Sequence, residues 1–166
     1  NEDIFKKVTV LPDGKNHGLV FLLDWSGSMQ YYLQDTLKQL YNLIWFCRKV
    51  QIPFEVYAFT NEWGHGEYAS YGFYGSGDFG KAYEKKAGMI AIDNQFTLMN
   101  LFTSEVNGKT LEKQMLNIWR VVHSFREYGL SYPRKLALSG TPLNEALITF
   151  RKLLPEFQKK AKVEKV

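Results

Sequence analysis

The chain has 166 residues, about the length of one domain, and a formal net charge of +4. Hydrophobic residues make up 45% of it and charged residues 23%, which does not favour intrinsic disorder. A disulfide framework is excluded because Cys47 is the single cysteine, and its apolar neighbours predict a buried, inert thiol. No apolar run approaches the ~18 residues needed to cross a bilayer, and the first residues lack a signal-peptide pattern, so we expect a cytoplasmic protein without a membrane segment.

The first half of the chain predicts a strand, a helix and a second strand. Residues 18–24 (GLVFLLD) form a short apolar run that ends in an acid, as in a parallel strand buried on both faces. From 29 to 50 the apolar positions recur at spacings of three and four, which predicts an amphipathic helix. Residues 52–60 are rich in β-branched and aromatic residues, so we expect the second strand there.

Residues 61–88 predict an insertion, because the periodicity disappears and glycines alternate with tyrosines and phenylalanines. This segment is either a loop that presents aromatic side chains to a partner or a variable surface loop. Its tyrosines would also suit base stacking, but residues 61–80 contain no lysine or arginine. We therefore expect no nucleic acid partner.

The second half of the chain predicts an edge strand and two helices. The strand is expected at 96–102, and the first helix at 110–128, with Lys109 or Thr110 near its cap and Gly129 after its end. The segment 131–139 predicts a loop or a very short helical turn.

The second of these helices is expected to begin with Thr141 at the cap, Pro142 at the first helical position and Glu145 in the first turn. Many lysines follow near the end of the chain. They are typical of the solvated face and C-terminal turn of a helix, where positive charge also complements the helix dipole.

The pentapeptide DWSGS has the form Asp-x-Ser-x-Ser at the point where the first strand gives way to the long helix. The oxygen-bearing side chains of Asp24, Ser26 and Ser28 alternate along one turn, and Gly27 is expected to let that turn close tightly. Hard cations such as Mg²⁺ prefer oxygen ligands, and open α/β sheets bind ligands beyond the carboxyl ends of their strands. The motif therefore predicts a divalent-metal site.

A second motif, GTPL at 140–143, places the hydroxyl of Thr141 at a helix start more than a hundred residues later. Together with DWSGSM it resembles the metal-ion-dependent adhesion site (MIDAS) of von Willebrand factor A (VWA) and integrin I-type domains. The resemblance implies one VWA-like domain over residues 1–166, with a Rossmann-like, open, mostly parallel sheet flanked by helices and an antiparallel edge strand. It also implies an Mg²⁺ or Mn²⁺ ion whose ligands are Asp24, Ser26, Ser28 and Thr141, with Asp24 holding the coordinated water.

The family uses a further aspartate after the next strand, often in a Thr-Asp-Gly turn, which this sequence lacks. Residues 163–166 stand where that strand would begin, so the chain either is a fragment that lacks the C-terminal strands or departs from the family. The forms DWSGSM and GTPLNEAL are closer to the intracellular branch, found in cobalt- and magnesium-chelatase subunits and in bacterial or bacteriophage relatives. Domains of that branch work beside an AAA+ ATPase.

Two functions fit this pattern. The first is a non-catalytic, metal-dependent protein-binding domain in which an Asp or Glu of a partner completes the cation's shell. The alternative is a subunit of a metal chelatase or of a metal-assisted hydrolase. A third possibility keeps the fold but makes Asp24 and Thr141 mere helix caps.

The sequence lacks the motifs of common hydrolases and nucleotide-binding enzymes. There is no GxSxG element and no Walker loop, and the three histidines are scattered without metal-ligand spacing: His17, His65 and His123. No catalytic residue is assigned, and His123, inside a helical pattern, is expected to be structural.

Overall fold

The computed structural model of the chain describes residues 17–61, 96–127 and 130–166. It contains three strands, β1 (Leu19–Asp24), β2 (Phe54–Asn61) and β3 (Phe96–Thr103). Its three α-helices are α1 (Leu33–Val50), α2 (Gly108–Ser124) and α3 (Leu143–Ala161). Short 3₁₀ helices occupy Gly27–Tyr31 and Arg134–Leu136. No helix in these ranges is long and apolar enough to cross a membrane.

The sheet has the order β1-β2-β3. β1 and β2 pair in parallel, from Leu19 opposite Phe54 to Asp24 opposite Phe59, with α1 connecting the two strands. β3 pairs antiparallel with β2 and forms the expected antiparallel edge. The α/β class and the open sheet are confirmed, but the described sheet is mixed rather than mostly parallel, because one of its two strand pairings is antiparallel.

The helices lie on both faces of the sheet. Leu23 and Val56 point toward α1 and α2, in one core cluster with Ile44 of α1. Side chains alternate between faces along a strand, so Tyr57 points to the other face, where its ring meets Phe150 of α3 edge-on at 5.3 Å. The layers are therefore α1 and α2, the sheet, and α3.

Several helix starts differ from the sequence predictions. α1 begins at Leu33 rather than Met29, because residues Gly27–Tyr31 first form a 3₁₀ helix. α2 begins at Gly108, because the Oδ1 atom of Asn107 accepts a hydrogen bond from the Thr110 N–H at 2.9 Å. α2 ends at Ser124 with Phe125 as its C-cap, so the predicted end at Gly129 is wrong. The insertion at 61–88 lies outside the described residues apart from Asn61, which belongs to β2.

The start of α3 also differs. Thr141 is not its cap, because Pro142 holds that position and no side chain caps the helix. The prediction that Thr141 caps α3 is therefore wrong, and the Thr141 hydroxyl does not cap the helix.

On the side of β1 that faces away from β2, the backbone makes a hydrogen bond to the last residues of the chain. The N–H of Gly18 donates to the carbonyl of Lys165 at 2.8 Å, whereas the N–H of Leu19 donates toward β2, to Pro53. His17 and Lys165 form a parallel bridge. The chain at Lys165 thus runs parallel to β1, at the place where the family resemblance implies a further strand.

Candidate metal centre

Asp24 is the last residue of β1, and alternation along the strand directs its side chain to the α3 face of the sheet. Its Oδ1 atom is buried and has no hydrogen-bond partner. Buried carboxylate oxygens are nearly always hydrogen-bonded or bound to a cation, because desolvating them otherwise costs free energy. This atom therefore suits a cation, or water held by a cation.

The two serines of the motif lie directly beyond the strand. Ser26 is 2% exposed, and its Oγ atom lies 3.1 Å from the Oγ atom of Ser28. Adjacent ligands of an octahedral Mg²⁺ with bonds of about 2.1 Å are separated by about 3.0 Å. The hydroxyl spacing thus fits two neighbouring positions of one coordination shell.

Gly27 has a different role from the one expected. Its N–H donates to the Ser139 carbonyl at 2.8 Å, but an added Cβ atom would lie 3.8 Å from that carbonyl, which is an ordinary contact. Its φ angle is not in the left-handed region. The turn therefore does not require glycine at this position.

The segment that carries Thr141 returns to the Asp-x-Ser-x-Ser turn. Ser139 forms a parallel bridge with Ser26, and its N–H donates to the Trp25 carbonyl at 3.4 Å. The hydroxyl of Thr60, at the end of β2, lies 3.5 Å from the Gly140 carbonyl. The structure thus brings together the two motif segments, which are more than a hundred residues apart in sequence. Thr141 itself is exposed, and its carbonyl accepts from the Leu143 N–H at 2.9 Å.

Trp25 lies between Asp24 and Ser26 in the sequence and holds the segment before Ser139 against the Asp-x-Ser-x-Ser turn. Its side chain is fully buried, and its indole N–H donates to the Leu136 carbonyl at 2.9 Å. Its ring meets Phe125 edge-on at 5.9 Å. Trp25 thereby fixes the chain just before Ser139 against the end of β1.

Two residues at this junction were missed by sequence reasoning. The Oδ1 atom of Asn61, at the end of β2, and the Oγ atom of Ser139 are also buried without a hydrogen-bond partner. The sequence did hold a signal for Asn61, because it directly follows the predicted strand 52–60, and Asp24 likewise stands at the end of a predicted strand. Ser139 carried no comparable signal, since only the folded chain places it beside Ser26.

The remaining candidates lie away from this junction. Within the described ranges no three His, Cys, Asp or Glu side chains form a metal-binding group. His123 is exposed on α2, with its Nδ1 atom 3.2 Å from Nε2 of Gln34, and His65 lies outside the described residues. Cys47 is buried as predicted, and burial raises the pKa of its thiol.

Comparison with known proteins gives no match: no family model, no curated protein and no solved structure is similar to this chain.

Proposed function

We propose that this chain is a VWA-like, divalent-metal-dependent protein-binding domain. Mg²⁺ or Mn²⁺ would be held by Asp24, Ser26, Ser28 and Thr141, and an Asp or Glu of a protein partner would complete the coordination shell. The observation that carries the proposal is the unpartnered Oδ1 atom of Asp24 at the end of β1, followed in the turn by two serine hydroxyls 3.1 Å apart.

The order of the elements supports the VWA-like assignment. A parallel strand ending in the Asp-x-Ser-x-Ser turn, a helix, a second parallel strand and an antiparallel edge strand follow one another as the resemblance implies. The segment before Thr141 then returns to the carboxyl end of β1. These features are what a Rossmann-like MIDAS domain requires, and they favour the assignment over a chance match of two short motifs.

The charge of the site favours an acidic ligand. A divalent cation with Asp24 as its one carboxylate ligand in this set keeps a net charge of about +1, which attracts a carboxylate. Large apolar side chains on the same two segments are exposed: Tyr31 at 67%, Tyr32 at 66% and Leu143 at 45%. Such side chains supply contact area for a protein partner rather than for a free ion. The motif resemblance further suggests that this partner belongs to an AAA+ ATPase assembly.

The first test is a titration of Mg²⁺ and Mn²⁺ followed by calorimetry and melting temperature. We expect saturable stabilisation of the unaltered chain, lost in Asp24→Ala. The matched control is Asp35→Ala, because Asp35 is a 73% exposed aspartate on α1 that pairs with Lys38. Equal metal responses in the unaltered chain and in Asp24→Ala would refute the proposed site.

The second part tests the open coordination position, with acetate as the probe. Acetate should displace water from the bound Mn²⁺ and lower the water-proton relaxation rate, whereas acetamide, a neutral molecule of nearly the same shape, should not. Equal effects of the two molecules would contradict recruitment of an acidic group.

A further inference from the structure

Four buried side-chain oxygen atoms in the described ranges lack a hydrogen-bond partner: Asp24 Oδ1, Asn61 Oδ1, Ser139 Oγ and Gln114 Oε1. Three of them belong to segments that meet where β1 and β2 end, while Gln114 lies on α2. Folded proteins leave few such atoms, and each calls for a physical reason such as a bound ion. A shared cause for the three atoms at one junction is therefore favoured over three separate defects.

The strand register places Asn61 on the same side of the sheet as Asp24. Asp24 is paired with Phe59, and paired residues of adjacent strands direct their side chains to one face. Asn61 lies two residues beyond Phe59, so it points to that face as well. Both side chains thus stand at the carboxyl end of the sheet, on the α3 side.

The loop before Thr141 packs directly on the Asn61 amide. A Cβ atom added to Gly140 would lie only 3.0 Å from the Nδ2 atom of Asn61. Because Gly140 has no side chain, the amide fits between the end of β2 and the segment that carries Thr141. Asn61 therefore lies against the segment that carries Thr141.

We propose that Asn61 is a further member of the cation site, whose amide oxygen binds the cation or its coordinated water. This inference rests on the proposed function. An amide supplies an oxygen ligand without charge, so the bound cation keeps its attraction for the carboxylate of a partner. Asn61 thereby contributes to the affinity for the metal without lowering the affinity of the bound metal for a partner's carboxylate.

The test compares substitutions of Asn61 by Mn²⁺ titration, with acetate as the probe of the loaded site. Asn61→Ala should weaken Mn²⁺ binding about tenfold, as loss of a supporting oxygen does at metal sites. Asn61→Asp should strengthen Mn²⁺ binding about tenfold and weaken acetate binding, because the added charge neutralises the cation. Gln114→Ala removes the fourth unpartnered atom on the opposite side of the sheet and should change neither affinity.

Two results separate this inference from the proposed function. If Asp24→Ala abolishes Mn²⁺ binding while both Asn61 variants bind as the unaltered chain does, the role of Asn61 is overturned and the cation site stands. If the unaltered chain shows no saturable Mn²⁺ binding, both are overturned. Melting temperatures in EDTA show whether each variant is folded, and Asn61→Asp, which nearly keeps the shape of the residue, remains informative if Asn61→Ala does not fold.

Discussion

At the scale of single residues, the structure distinguishes the parts of the Asp-x-Ser-x-Ser turn. Ser26 is buried and hydrogen-bonded to Ser28, whereas the Oδ1 atom of Asp24 has no partner. The hydroxyls can satisfy each other without a metal, but the carboxylate oxygen cannot. Asp24 is therefore the residue of the proposed site that a bound cation would stabilise most.

This difference predicts an opposite response of Asp24→Asn with and without metal. In EDTA the variant should melt about 2–4 °C higher than the unaltered chain, because it removes the charge from a carboxylate whose Oδ1 atom is buried without a partner, a gain of about 1 kcal/mol. In saturating Mg²⁺ the order should reverse, because the proposed site holds the ion tightly only with the Asp24 carboxylate in place. Thermal unfolding in both buffers is the measurement, and a lower melting temperature of the variant in EDTA would show that Asp24 is satisfied without metal.

At the scale of elements, the site depends on a link between β1 and the segment from Leu136 to Thr141. Backbone contacts at Ser139 and the hydrogen bond of the Trp25 side chain make that link, and Leu136 and Leu138 pack against the core cluster that contains Trp25. A short segment without regular structure keeps its position only if such contacts hold it. Trp25 is therefore a positioning residue for the second half of the motif.

We predict that Trp25→Phe lowers both stability and metal affinity. The lost indole hydrogen bond to the Leu136 carbonyl and the smaller ring should cost about 1–3 kcal/mol of unfolding free energy. Mn²⁺ affinity should fall as well, because the segment that carries Thr141 is no longer held against Ser26 through Ser139. The control is Trp45→Phe, a 41% exposed residue on α1, which should change stability by less than about 0.5 kcal/mol. A Trp25 variant that is less stable yet binds Mn²⁺ normally would rule out the positioning role.

At the scale of the whole molecule, Lys160 ties α3 to both the sheet and the turn after β3. Its Nζ atom lies 3.5 Å from Glu55, which is 6% exposed on β2, and 2.8 Å from Glu105. The Tyr57 hydroxyl also donates to Glu55 at 2.5 Å. Hydrogen bonding to Glu105, more than the charge of Glu55, raises the pKa of Lys160. This contribution to stability is therefore present below the ordinary lysine pKa and is lost as the pH rises through the raised value.

Lys160→Ala should destabilise the fold by about 1 kcal/mol at neutral pH, because it leaves the buried Glu55 carboxylate without its cation. The loss is small because the Lys160 side chain is 52% exposed. Lys159→Ala, its exposed neighbour on α3, should have almost no effect. Urea unfolding of both variants is the measurement, and combining Lys160→Ala with Glu55→Gln should cost less than the sum of the two changes. Strict additivity would mean that the pair does not interact.

Local sequence patterns determined the elements of this protein and part of its site. Some patterns depend only on neighbouring residues in the chain, so they could be predicted without a structure. They are the apolar run before Asp24, the helical spacing after it, and the edge strand whose polar residues include Thr97 and Asn100. The Asp-x-Ser-x-Ser turn could be predicted for the same reason. Helix starts were less predictable, because the choice of Asn107 or Pro142 as cap depends on hydrogen bonds that compete over one or two residues.

The tertiary structure alone decided which distant residues share the site. Ser139 stands beside Ser26, and Asn61 against Gly140, only because β1 and β2 end at the same edge and the segment before α3 returns to it. The sequence named Asp24 as a ligand but could not show that its Oδ1 atom is buried without a partner. The burial of an atom and its hydrogen-bond partners depend on every segment that packs around it, so a local sequence pattern does not determine them.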